Sequence, residues 1–259
     1  MTILTRTDDD GIATLTLDDP GKLNALSTAM LTELHAALDT IAEDESIRVV
    51  ILRGAGRAFC AGHDLSEMRA MRGGDTPDAD LRALFDRCAA VMGRIQSLPQ
   101  PVIAQVHGLA AAAGCQLVAT CDMAVAAEDA RFGVNGVNIG LFCSTPMVAL
   151  TRNIPAKAAF EMLTTGRFVT AAEAQSLGLV NRTAAPDALD ATTQELARTV
   201  ADKLGAAVRI GKRAFYAQAE MTTAEAYRFA GDVMVQNMGL DATAEGIAAF
   251  LEKRAPDWS

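Results

Sequence analysis

Charge, aromatic rings and paired cysteines are all scarce in this chain of 259 residues. Only 21% of the residues are charged, and 32 acidic residues against 23 basic ones leave a formal net charge of −9. That balance argues against nucleic acid and anionic membrane surfaces, which both select clustered Lys and Arg. Aromatics make up 5%, too few for a base-stacking platform. The cysteines, Cys60, Cys88, Cys115, Cys121 and Cys143, are odd in number and include no C-x-x-C pair. They read as free thiols in a reducing compartment, and no metal site is expected. Residues 1–10 are polar and end in three aspartates, unlike a secretory signal or transit peptide. The most apolar stretch, 101–121, is about long enough to span a bilayer but carries Gln105, His107, Gln116, Gly108 and Gly114. It reads as a buried strand followed by a helix of small residues. The expected location is cytoplasmic.

What the chain does have is apolar volume. Half of it is hydrophobic and about a fifth is alanine. A chain of this length buries most of its apolar surface without disulfides or metal, as one large domain or a core with a small appendix. Residues 11–17 alternate in polarity, a half-buried strand. Ser27 is placed to cap a helix running to about Asp44, with Leu31, Leu34, Leu38 and Ile41 at helical spacing. Residues 49–52 and 102–106 are short apolar runs that predict buried strands, and 121–126 a third. A helix is expected to begin at 64–71, residues 73–77 to be mobile, and helix to resume over 79–97. Two segments, Thr170-Ala-Ala-Glu173 and Thr222-Thr-Ala-Glu225, match the capping box. A strand is expected between them at 178–181, and beyond Pro186 nearly everything reads as helix. Strands alternating with helices predict an α/β fold with parallel connections. The expected division is a core at 1–200 and a helical region at 201–259. The latter holds more apolar residues (Phe215, Tyr227, Phe229, Val233, Val235, Met238) than a lone surface helix needs.

Two strand-to-helix turns stand out: Arg57-Ala-Phe-Cys-Ala-Gly-His-Asp-Leu65 and Val106-His-Gly-Leu-Ala-Ala-Ala-Ala-Gly-Cys-Gln116. Turns of small residues expose backbone N–H groups at a helix start, where the dipole favours negative charge. Two facing each other can offer two amides to one developing oxyanion. Tight packing alone also explains such turns.

These turns, with Asn24-Ala-Leu26, Cys121-Asp-Met-Ala, Ala130-Arg-Phe-Gly, Thr165-Gly-Arg-Phe and Glu245-Gly-Ile-Ala-Ala-Phe-Leu-Glu-Lys-Arg254, resemble the enoyl-CoA hydratase/isomerase (crotonase) family over essentially the whole chain. The resemblance implies a crotonase-like spiral of ββα turns with C-terminal helices that mediate trimers, often paired into hexamers. It implies acyl-CoA thioesters as ligands, coenzyme A entering as part of the substrate and no tightly bound cofactor. By motif, the thioester carbonyl falls between the N–H of His63 and the N–H of Ala113. Asn24, Ala25 and Leu26, together with Ala61, Asp64 and Leu65, fall where the family lines the CoA moiety. Lys253 resembles a basic residue that reaches the CoA phosphate of a neighbouring subunit.

The acid–base groups depart from the family. Its hydratases use two glutamates, one to take a proton from water and one to deliver a proton to the α-carbon. Here the positions are Gln116 and Gly136. An amide does not titrate, although it can orient a water, and glycine offers nothing. Each positioned group typically contributes about 10²- to 10⁴-fold, so crotonyl-CoA hydration is expected to be weak or absent. The stretch 136–146 resembles the enoyl-CoA hydratase domain-containing subgroup. Segments 62–65 and 137–140 also resemble a methylmalonyl-CoA decarboxylase branch, although Cys143 stands near where that branch has tyrosine.

Simpler readings stand beside the chemical ones. His63 offers an imidazole base, or only its backbone amide. Asp64 offers a base, or a cap for the next helix. Cys143 offers a nucleophile or proton donor, or a small buried hydrophobe. Ser144 and Thr145 are expected to cap the helix after them. The open functional alternatives are a non-hydratase reaction such as decarboxylation or isomerisation, and an acyl-CoA-binding pseudoenzyme.

Overall fold

The computed structural model describes residues 2–258. Asp10 and Gly11, both at positive φ, turn the chain between β1 (Leu4–Asp9) and β2 (Ile12–Leu17), as the primed two-residue hairpins require. The polar start is thus an edge strand whose exposed Thr7, Asp8 and Asp9 suit an unpaired edge. Ser27 caps α1 (Thr28–Ala42) by accepting from the Met30 N–H, and the helix buries Leu31, Leu34, Leu38 and Ile41. β3 (Val49–Gly54) leads through the first small-residue turn to α2 (Leu65–Arg72), whose cap is Asp64. The expected mobile segment is a short link into α3 (Pro77–Ser97). The 101–121 stretch resolves into β4 (Val102–Val106), a three-residue β5 (Leu109–Ala111) and α4 (Ala113–Thr120).

β6 (Met123–Ala127) and β7 (Arg131–Gly133) follow, then a 3-10 turn over Asn135–Ile139 and α5 (Ser144–Asn153). The cap residue of α5 is Cys143, which makes no side-chain capping bond, so the capping expected of Ser144 and Thr145 does not occur. After α6 (Ala156–Thr165), β8 (Phe168–Thr170) and α7 (Ala171–Leu177), the strand expected at 178–181 lies instead at β9 (Arg182–Ala184). Residues 178–181 are the left-handed Gly178 stop and the turn after it. Only one of the two capping boxes is complete. Thr222 and Glu225 satisfy each other reciprocally, whereas Glu173 turns to Arg167 at 2.6 Å. α8 (Leu189–Ala201), α9 (Gly205–Gln218), α10 (Thr223–Met238) and α11 (Asp241–Glu252) complete the chain.

The main sheet has the order β1-β2-β3-β4-β6-β9, parallel except for the β1–β2 hairpin. β4 is buried at every position, as a parallel strand covered on both faces must be. A second sheet, β5-β7-β8, stands beside it. α9 is anchored by Lys212, whose ammonium donates to the Ile95 and Gln100 carbonyls and to Asp122 Oδ2 at 2.6 Å. Val102 N–H donates to the same Oδ2, and Tyr216 donates to Oδ1 of Asp122. No described helix is long and apolar enough to cross a membrane.

Candidate functional site

The segment after β3 is held on both sides by backbone bonds. Ala61 N–H donates to Leu23 O and Leu26 N–H to Gly62 O, while Cys60 exchanges bonds with Leu109 and Ala111 in β5. Ala112 N–H donates to Gly133 O in β7. Among the described residues, neither the His63 N–H nor the Ala113 N–H is spent on a backbone partner. Gly62 brings the two turns together. A β-carbon there would meet Ala111 O at 2.9 Å and Ala113 N at 3.2 Å, and φ is +95°. Ala112 is held at φ 48°, ψ −116°, a conformation L-residues rarely occupy.

Both turns open on a cavity of 850 Å³ whose walls include Ala25, Ala61, His63, Asp64, Leu65, Ala113, Gly136 and Cys143. Four further residues of the sequence reading lie behind or away from this wall. Asn24 is fully buried and clamps the turn, donating to the carbonyls of Ala55, Ala58 and Phe59. Leu26 is fully buried too and braces Gly62 through its backbone. Gln116 is buried on α4, and its Oε1 finds no hydrogen-bond partner. Lys253 sits at the left-handed end of α11, exposed and outside this chain's cavity.

Sequence reasoning missed Phe85, Phe142, Phe168 and Ile139 on the apolar wall and Lys22 at the rim. Isolated aromatics carry no motif, but Lys22 lies two residues before Asn24 and could have been marked as a cation beside a ligand-lining segment.

Electrostatics separate the polar candidates. Asp64 accepts from Lys22 Nζ at 2.8 Å and from the Ser66 and Glu67 amides. The Lys22 ammonium foremost holds its carboxyl well below the usual range, which makes it a fixed cap and not a proton acceptor. The His63 ring stands edge-on to Phe85, 5.5 Å between centroids. Burial lowers its pKa, so the ring is neutral at neutral pH, and its Nε2 is shut from solvent with no partner. Burial pushes the Cys143 thiol up, and the Gly136 N–H offsets part of that shift. The other four thiols are buried, and burial raises those of Cys60, Cys88 and Cys115 to about 12. No cluster of metal-ligating side chains occurs among the described residues.

The strand order and the two abutting turns define a fold of the crotonase kind. The enoyl-CoA hydratase/isomerase family matches residues 7–259, and the chain belongs to that family. A Mycobacterium smegmatis enoyl-CoA hydratase of known structure shares 54% identity at a TM-score of 0.96, with 100% of this chain and 99% of that one covered. The structure of human enoyl-CoA hydratase domain-containing protein 3 shares 41% identity at a TM-score of 0.94, with 99% and 100% covered. The zebrafish (Danio rerio) protein of that name is 44% identical over 96% of this chain and 85% of its own. The zebrafish relative is named as mitochondrial, which overturns the cytoplasmic expectation. Neither the acidic composition nor free thiols distinguish cytosol from another reducing compartment.

Proposed function

We propose that the chain binds an acyl- or enoyl-CoA thioester in the 850 Å³ cavity and stabilises its enolate between the N–H groups of His63 and Ala113, without ordinary hydratase catalysis. The observation that carries this is the pairing of two unspent amides with a cavity that offers no free carboxylate base. Asp64 is committed to Lys22 and the α2 cap. Gln116 does not line the cavity. A β-carbon on residue 136 would lie 2.5 Å from Leu141 O, so the loop has closed over the space a glutamate would need. Developing negative charge on a thioester oxygen gains most from donors fixed in advance in a site that excludes water.

Coenzyme A enters as part of the substrate, with no tightly bound cofactor or metal. Reactions that form the enolate by losing a group other than a proton, decarboxylation among them, ask least of the side chains here. CoA is polyanionic while the chain is acidic overall, so its binding draws on local cations such as Lys22. The C-terminal region, 201–259, serves assembly in this reading. Phe215, Tyr227, Val235, Phe250 and Leu251 are all more than half exposed on the single chain, a density that marks an interface, and a homotrimer or dimer of trimers would cover them. There Lys253 would meet a neighbour's CoA.

The test is the enone absorbance of crotonyl-CoA, alongside calorimetric binding of a panel of CoA thioesters. The expected result is binding with little or no hydration, and hydratase-like turnover overturns the reading. Binding without product from any thioester would leave a non-catalytic acyl-CoA-binding protein, the second reading that the missing carboxylates favour.

A further inference from the structure

We infer that the thiol of Cys143 is the proton donor to the α-carbon of the bound enolate, occupying the place that the side chain of residue 136 has vacated; this rests on the enolate reading above. Two observations converge. A β-carbon on residue 136 would lie 2.8 Å from Cys143 Sγ, so the sulfur stands where that side chain would begin. Cys143 lines the same cavity as the two amide turns, at the head of α5.

The chemistry of the group fits the task. The thiol is protonated at neutral pH because burial disfavours its anion. The thiolate left after donation is met by the Gly136 N–H and by the positive end of the ten-residue α5. In the step, the S–H bond breaks and a C–H bond forms at the α-carbon. The enolate's electron pair takes the proton, the thioester carbonyl is restored between the amides, and the thiolate recovers a proton from water. Nothing is oxidised or reduced. Run in reverse, the thiolate removes an α-proton, so the protein should exchange the α-hydrogen of a saturated thioester whatever its natural substrate.

Butyryl-CoA in D₂O provides the test. The wild-type protein is expected to place deuterium at the α-carbon, read by mass spectrometry. Cys143→Ser and Cys143→Ala are expected to bind butyryl-CoA as the wild type does, read by calorimetry, and to exchange about 100-fold more slowly or less. Exchange by both variants at the wild-type rate overturns the thiol's role and leaves the enolate reading standing. Binding by the wild type with no exchange overturns both. Should the variants bind poorly, the wild-type rate in H₂O and D₂O mixtures decides. A thiol donor carries less deuterium than the water around it, and a linear dependence lacking that signature overturns the assignment.

Discussion

α4 is buried at all eight of its residues, whereas α10, twice as long, buries none of its sixteen. Both helices are apolar enough to want cover. α4 finds it inside the chain, because Ala113, Gly114 and Cys115 are small enough to press against β5, the 59–63 segment and α5. Its N-terminus is thereby fixed and can offer an amide. α10 and α11 carry Tyr227, Val235, Phe250 and Leu251 outward, where the described residues leave each of them more than two-thirds exposed. One region is completed by its own sequence. The other is written for a surface that, in our reading, a second copy supplies.

Lys212 joins the two regions, and its loss should have the largest effect. Lys212→Ala removes the cation from Asp122 and leaves the Ile95 and Gln100 carbonyls without their donor. Breaking one side of such a pair costs about 3 kcal/mol, since the uncompensated charge stays partly buried. Calorimetric unfolding should show a lowered Tm, with α9 to α11 losing amide protection before the main sheet does. Equal loss of protection throughout would mean that the two regions unfold as one.

The two regions also differ in how far the sequence disclosed them. Alternation and apolar runs located β2, β3 and β4, and Ser27 marked the start of α1, because those signals are local. β1 was hidden because an edge strand needs few apolar residues. The strand after α7 was displaced to β9 because Gly178, a left-handed stop, sits inside an apolar run. The two amide turns were legible only through their small residues and the family resemblance. Their meeting depends on bonds from Leu23, Leu26 and Gly133, which no local pattern encodes. Asn24 reads as a ligand contact in sequence, yet its three carbonyl partners make it a clamp. The filled space at Gly136 is invisible without coordinates, since it comes from Leu141 and Cys143 folding back.

A smaller effect, confined to the second region, should follow from Tyr227→Asp combined with Phe250→Asp. Both side chains are more than three-quarters exposed on the single chain, so the fold loses little by their replacement. In light scattering the variant should lose the higher-mass species, while butyryl-CoA binding by the core should weaken only by what a neighbour's Lys253 contributed. Unchanged mass would remove these residues from any interface and weaken the contrast drawn above.

The smallest effect should come from within the cavity wall, and its sign is informative. Ala112 is held at φ 48°, ψ −116° at the start of α4, where glycine rests without penalty. The conformation persists because Ala112 N–H is tied to Gly133 O and α4 is packed on all sides, so the surroundings over-determine it. Ala112→Gly should therefore raise stability by about 1 kcal/mol, the relief of strain exceeding glycine's extra unfolded-state freedom. Its methyl also projects toward Gly62, so the same change loosens the contact between the two turns and should weaken thioester binding while Tm rises. If Tm falls instead, the turn is not strained and α4 is held by packing alone. If Tm rises and binding is unchanged, the amide of Ala113 is positioned by α4 itself, and the methyl of Ala112 plays no part in the site.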